Sequence, residues 1–263
     1  MNEDATLKLE MDGPVARLTL NRPRIRNAFD DALLAAITAA AGELAADDSV
    51  RAVVLGGAGE TFCAGADLHW MRRMVDYSEE ENRRDSLALA KMVEALDALP
   101  QPVVGRIQGA AIGGGAGLAA VCDIVVAAED AVFAFSEVRL GLLPAVISPF
   151  VVAKIGMAAA RDLFLTGERF SAARAEAIGL VQRVVPAADL DGAVEAVLAA
   201  LLAGGPGAQT AVKVLLREIR GREPAACRDT TAGFIARARA GAEGQEGMRA
   251  FLERRRAAWR DRS

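Results

Sequence analysis

Five glycines crowd into nine residues of this chain, at positions 109, 113, 114, 115 and 117. A β-rich run, Val103 to Ile107, enters the cluster, and an apolar segment of helical character leaves it. Glycine lets a backbone approach a ligand closely and adopt positive φ at little cost. A turn that opens a helix also leaves several N–H groups unpaired, and these can face developing negative charge. The N–H of Gly114 is the leading candidate for polarising a carbonyl. A second acidic component is Glu137, one carboxyl between an apolar strand and an apolar loop. Burial without a cation raises a carboxyl pKa, which suits proton transfer near neutrality. A salt bridge to Arg139, or plain exposure, would remove that role.

Other glycine-rich chemistries fit poorly. No G-x-G-x-x-G can be aligned, and Asp123 lies too close to be the ribose-binding acid expected about 20 residues on. No G-x-x-x-x-G-K-[ST] occurs, so a phosphate-cradling P-loop is excluded. Close packing of a helix on a strand would explain the same glycines without any chemistry. A second loop, residues 57–68, again places small residues (Ala64, Gly65, Ala66) where backbone must come near something. Behind it Trp70, Met71, Met74 and Tyr77 can wall a pocket or simply pack the next helix. The single histidine, His69, has no Ser or Asp partner at a recognisable spacing and reads as a loop residue, not a base.

The elements that must position these residues follow an α/β pattern. Leu7 to Glu10 and Val15 to Leu20 alternate as strands around Asp12-Gly13, a hairpin signal. Asp30 or Asp31 can cap a helix that carries Leu33, Leu34, Ile37 and Leu44 on one face. Arg51 to Gly56 reads as a short buried strand, and Asn82 to Leu99 as a long helix stopped by Pro100 and Pro102. Strands are expected over Ile124 to Ala128 and Ala131 to Phe135, and helices from Ile147 onward. Ser171 caps one of these helices, and Gly179 to Val185 makes a last strand. Beyond Pro186, helices are expected over Ala188 to Ala203, Ala208 to Arg220, around Phe234, and over Gly244 to Trp259. Their apolar faces need cover, which places a boundary between Pro186 and Pro206. The chain is read as a core of residues 1–195 and a helical appendage of residues 196–263.

Bulk composition narrows the partners. Of 263 residues, 52% are apolar and 25% charged, as expected of a soluble protein with an ample core. The net charge of −4 gives no basic footprint for nucleic acid and no polybasic membrane patch. Arg254, Arg255, Arg256 and Arg260 suggest a solvated helix face. Cys63, Cys122 and Cys227 form no C-x-x-C, so reduced thiols are expected. The acidic N-terminus lacks the apolar run of a signal peptide, and no apolar stretch reaches the length of a membrane span. A cytoplasmic location is expected.

Several spaced motifs, in one order, resemble the crotonase (enoyl-CoA hydratase/isomerase) superfamily. They are Phe62-Cys-Ala-Gly-Ala-Asp-Leu68, Gly109-Ala-Ala-Ile-Gly-Gly-Gly115 with Cys122-Asp-Ile124, and Ser136-Glu-Val-Arg-Leu-Gly-Leu-Leu-Pro144. Leu20-Asn-Arg-Pro23 with Asn27-Ala28, Leu165-Thr-Gly167, Gly179-Leu-Val181 and Glu246-Gly247 extend the match over nearly the whole chain. The resemblance implies a crotonase-like spiral of strand-strand-helix repeats with a helical C-terminal trimerisation region, and a homotrimer or dimer of trimers. It implies an acyl-CoA substrate that brings its own coenzyme A, with no separate cofactor and no metal. The two oxyanion-hole amides map onto Ala66 and Gly114. The segment holding the CoA nucleotide maps onto Arg24 and Arg26 together with Ala64, Gly65, Asp67 and Leu68, where the two arginines would meet phosphates.

Hydratases of the family use two glutamates that share the attacking water. The second maps onto Glu137, whereas the first falls on Gly117. Ala66-Asp-Leu68 followed by His69-Trp70-Met71, and Pro144-Ala-Val-Ile-Ser-Pro-Phe150, are most similar to bacterial methylglutaconyl-CoA and isohexenylglutaconyl-CoA hydratases, which act on branched, carboxylated enoyl thioesters. The implied activity is hydration of an enoyl-CoA. Double-bond isomerisation, which needs one acid/base group, is the alternative within enzymes. A non-catalytic acyl-CoA-binding role is the alternative outside them.

Overall fold

The computed structural model describes residues 5–260. Leu7–Asp12 (β1) and Val15–Leu20 (β2) pair antiparallel, with Gly13 at φ 55° in the turn, as the Asp-Gly signal predicts. Asp31–Ala45 (α1) starts at Asp30, whose side chain accepts from the Leu33 amide. Ala52–Gly57 (β3) runs parallel to β2. Leu68–Met74 (α2) and Glu79–Asp97 (α3) follow. His69 therefore sits in the first turn of a helix rather than in a loop, exposed to solvent. α3 starts earlier than the apolar pattern suggests, because Ser78 and Glu81 form a capping box that carries three glutamates into its first turn.

Val103–Ile107 (β4), Ala110–Ile112 (β5), Gly114–Val121 (α4), Ile124–Ala128 (β6) and Val132–Ala134 (β7) form the centre of the molecule. Ser148–Thr166 (α5), Arg169–Ser171 (β8), Ala172–Ala177 (α6) and Arg183–Val185 (β9) complete the strands. The order β1-β2-β3-β4-β6-β9 makes a six-stranded sheet, parallel after the first pair, and β5-β7-β8 makes a second, smaller sheet.

Leu190–Leu202 (α7), Pro206–Ile219 (α8), Arg228–Ala240 (α9) and Ala242–Leu252 (α10) finish the chain. The helix expected up to Trp259 stops at Leu252, where Arg254 turns the backbone to φ 54°. Arg255 beyond it is engaged, not merely solvated: it pairs with Glu246 at 2.6 Å and Glu253 at 2.7 Å.

Alternation along the strands explains why the large sheet is covered on both faces. Leu18, Leu20, Val53, Leu55, Val103, Ile107 and Val125 point into the main core with α1 and α3. Val15, Ala52, Val54, Val104 and Val126 face the other way, against Leu190, Val194, Val197 and Leu198 of α7. Each such side chain withdrawn from water is worth about 1.5–3 kcal/mol, enough to dock a single helix firmly. Residue 195, where the sequence divides core from appendage, thus lies inside a helix that covers the sheet. α8 is tied to the core by polar bonds: Lys213 Nζ lies 2.6 Å from Asp123 and donates to the Gln101 carbonyl at 3.0 Å. No helix among the described residues is long and apolar enough to cross a membrane.

Candidate active site

The loop that follows β3 is stretched between two partners. On one side Cys63 N donates to Ala110 O at 3.0 Å and Ile112 N to Cys63 O at 3.0 Å, so the loop runs parallel to β5. On the other, Phe29 N donates to Gly65 O and Asp67 N to Phe29 O, both at 2.9 Å. The oxygen and the hydrogen of a trans peptide point in opposite directions. Because Gly65 O faces Phe29, the Ala66 N–H faces away from it, and it has no acceptor among the described residues.

The second amide comes from the start of α4. Gly113, at φ 55°, donates its N–H to Ala134 O at 2.8 Å and accepts from Gly117 N at 3.1 Å. With the Gly113 carbonyl aimed down the helix, the N–H of Gly114 points back out of the helix mouth, and it too has no acceptor among the described residues. A glycine is required at 114 by contact: a Cβ there would lie 2.2 Å from the Phe29 ring.

Glu137 stands beside this turn. The pairing of β5 with β7 sets Ile112 opposite Ala134, and Glu137 follows at the head of a short 3-10 turn closed by Gly141. A methyl placed on Gly113 would be 3.2 Å from Glu137 Oε1. Glu137 Oε2 is buried and has no hydrogen-bond partner, and neither Glu137 nor Arg139 forms an ion pair among the described residues. Burial pushes the Glu137 carboxyl above the ordinary glutamate range, opposed only by a bond from its own backbone.

Glu137 thus lies beside the Gly113–Gly114 turn, and Phe29 joins that turn to the loop that carries Ala66. Arg24 and Arg26 are exposed and without ion pairs among the described residues, on a short 3-10 turn that ends with Arg26 at φ 55°. The Arg26 carbonyl accepts from Ala64 N at 2.9 Å, which joins this turn to the small-residue loop. Leu68 is exposed, whereas Asp67 is turned inward. The Asp67 carboxylate caps α2 at the His69 and Trp70 amides and pairs with Arg22 at 3.1 Å. Burial alone would raise its pKa; the two amide donors and the Arg22 charge outweigh burial and hold it below the usual aspartate value. Of the pocket-wall candidates, Trp70 is buried in the core and Met74 packs against it.

Three residues that shape the site carry little sequence signal. Asn27 is fully buried and bridges the Ala58 and Thr61 carbonyls and the Arg22 amide, at 2.8, 2.7 and 2.9 Å. Arg22 ties Asp30, Asp67 and the Ala28 carbonyl together. Phe29 touches both the Gly65–Asp67 loop and the start of α4. Arg22 and Asn27 lie in the Leu20-Asn-Arg-Pro23 and Asn27-Ala28 motifs, which point to the family but not to these roles.

Residues 10–262 match the family model described as enoyl-CoA hydratase/isomerase. The chain is an enzyme of that family. A short-chain-enoyl-CoA hydratase of Clostridium acetobutylicum is 37% identical over 184 residues, covering 69% of each chain. The crystal structure of an enoyl-CoA hydratase from Shewanella pealeana superposes with a TM-score of 0.93 at 38% identity, covering 97% of this chain and 96% of the other. Pseudomonas aeruginosa AtuE does so with a TM-score of 0.93 at 41% identity, covering 97% and 100%. The crotonase fold and family expected from the motifs are therefore those of the protein.

Proposed function

We propose that this crotonase hydrates the double bond of an enoyl-CoA, using Glu137 as its one acid/base group. The observation that carries the reading is the buried, unpartnered Oε2 of Glu137 beside the turn that presents the Gly114 amide. Glu137 begins ionised and takes a proton from water as the water oxygen bonds to Cβ. Electrons shift onto the thioester oxygen, which receives hydrogen bonds from the Ala66 and Gly114 amides. Glu137 then returns the proton to Cα, regenerating carboxylate and thioester. Each donor to such an oxygen is worth ~3–4 kcal/mol of barrier.

Arg24 and Arg26 meet the CoA phosphates, and Ala64, Gly65 and Leu68 border the nucleotide. Asp67 serves that segment by fixing its shape. A branched, carboxylated acyl group is the favoured substrate class, and coenzyme A arrives with it, so no further cofactor is invoked. Exposed apolar side chains on α8 (Val212, Leu216) and α10 (Phe251, Leu252) suit a homotrimer or a dimer of trimers. This assembly is the proposed partner surface, and the proposed compartment is the cytoplasm.

One observation favours a second reading, double-bond isomerisation. The place of a second carboxyl, at Gly117, is taken by Ile147. An isomerase needs only one base to move a proton along the acyl chain. A panel of enoyl-CoA thioesters, including branched carboxylated ones, incubated in deuterated water separates the two. Hydroxyacyl product supports hydration; a shifted, deuterated alkene supports isomerisation. Tight thioester binding without turnover on any member would replace both with a binding role.

A further inference from the structure

We propose that Phe29 is the positioning residue that sets the two oxyanion amides against one another, and that Trp70 and Asp85 brace it; this rests on the oxyanion-hole reading above. Phe29 meets each loop by a different part of itself. Its backbone brackets Ala66, accepting from Asp67 N and donating to Gly65 O, which dictates the direction of the Ala66 N–H. Its ring lies against the α-carbon of Gly114, so close that a Cβ there would stand 2.2 Å from Cζ. A displacement of Phe29 therefore moves one donor directly and releases the other.

The ring is held from behind. Trp70 meets it edge-on, with centroids 6.0 Å apart and planes at 64°. The indole Nε1 donates to Asp85 Oδ1 at 3.1 Å, which ties Trp70 to α3. Trp70 belongs to α2, the helix capped by Asp67 immediately after Ala66. The chain Ala66, Asp67, Trp70, Phe29, Gly114 thus closes a loop of contacts around the mouth of α4. Both rings are buried, each 3% exposed, so neither can relax into solvent. None of these three side chains is assigned a chemical step; their effect passes through the two amides.

The test uses the full chain with Phe29→Leu, Trp70→Phe, Asp85→Leu and Asp85→Asn. The readouts are kcat and KM on the best enoyl-CoA and the absorbance of a bound aryl-conjugated enoyl-CoA, which shifts to the red when its carbonyl is polarised. For Phe29→Leu we expect kcat to fall on the order of 10²-fold, the cost of a donor displaced by about an ångström. Thioester affinity should hold while the red shift shrinks. Trp70→Phe and Asp85→Leu should show a smaller loss of the same kind, and Asp85→Asn, which keeps an acceptor for the indole, should match the parent. If Phe29→Leu fails to fold, the Trp70 and Asp85 variants decide alone. A full red shift and parental kcat in the folded variants overturns the positioning role. An active parent enzyme with no red shift overturns the oxyanion reading itself, and the positioning role with it.

Discussion

A side chain at Gly117 would collide with Ile147: its Cβ would stand 2.3 Å from Ile147 Cγ2 and 2.9 Å from Ile147 Cβ. Ile147 is 3% exposed and belongs to the main core, at the entrance to α5. The space that a side chain at 117 would need is filled with hydrocarbon, and Glu137 is the carboxyl beside the Gly113–Gly114 turn.

Restoring the carboxyl therefore takes two changes. Gly117→Glu alone should lower stability by about 1–3 kcal/mol through overpacking, and should add no activity. Gly117→Glu with Ile147→Ala should relieve the clash and admit the carboxylate near the site, while loss of the buried Ile147 side chain adds a cost of its own of about 2–5 kcal/mol. Thermal melts of the single and double variants, beside hydration assays, check this. A single variant as stable as the parent would show that Ile147 yields easily and that its contact with α4 decides nothing.

Much of this was legible from local residue chemistry. The Asp12-Gly13 turn, the Asp30 and Ser171 caps and the alternation of β2 and β3 are written in short windows, where neighbours in sequence are neighbours in space. Glu137 stood out because an acid between apolar segments is either buried or wasted. Asn27, Phe29 and Ile147 carry no such local signal, since each acts through partners far along the chain: Thr61, Gly114 and Gly117. The early start of α3 escaped because its first turn is acidic rather than apolar. The stop of α10 escaped because a non-glycine residue, Arg254, takes the left-handed turn that usually announces itself as Gly.

Glu137 should dominate the acid limb of activity. Its carboxyl lies above the ordinary value of 4.5, so kcat/KM should fall as pH drops through a pKa higher than that. Glu137→Gln should remove the limb and cost about 10²–10⁴ in kcat, the usual range for a lost general acid/base. Stability should move oppositely. A raised folded-state pKa means that the neutral form is favoured by folding, so the parent loses stability as pH rises through that pKa. Glu137→Gln, always neutral, should melt higher than the parent near pH 8. The gap should close below pH 4. Equal melting temperatures at both pH values would mean that the carboxyl is solvated.

Gly114→Ala tests the helix mouth. The added methyl meets the Phe29 ring, so either the ring or the amide must move. We expect kcat to drop about 10²–10³-fold, the range for a lost oxyanion donor. KM should change much less, because in the proposed function the CoA nucleotide is held by Arg24 and Arg26. Steady-state kinetics on a saturating enoyl-CoA settles the split; a raised KM with kcat intact would mean that Gly114 matters for ground-state binding only.

The exposed arginines predict a different pattern. Arg24→Ala and Arg26→Ala should raise KM for an acyl-CoA, each by about ten- to a hundredfold, since a hydrogen bond to a charged group is worth ~1.5–3 kcal/mol. Neither should alter the kinetics of the same acyl group on a pantetheine thioester, which lacks the nucleotide phosphates. The KM for acyl-CoA in the parent should also rise with salt, as charge screening requires. Equal effects on both thioesters would relocate these residues to the acyl end.

Asp67, three residues beyond Ala64, whose amide donates to the Arg26 carbonyl, should behave as a stability residue. Its carboxylate accepts the His69 amide at 2.6 Å and pairs with the half-buried Arg22, so Asp67→Ala removes a helix cap and half of an ion-pair cluster together. The cap alone is worth about 0.5–2 kcal/mol. Because the folded state holds this carboxyl below its ordinary range, the stability it contributes is present above the unfolded pKa and is lost as pH falls through the folded value. The parent should therefore lose its advantage over Asp67→Ala on acidification. Asp67→Asn, which keeps an acceptor for the cap but not the charge, should lie between them at neutral pH. Chemical denaturation from pH 3 to pH 7 measures this, and a gap between parent and Asp67→Ala that stays constant over that range would show that the Arg22 pair adds nothing to the fold.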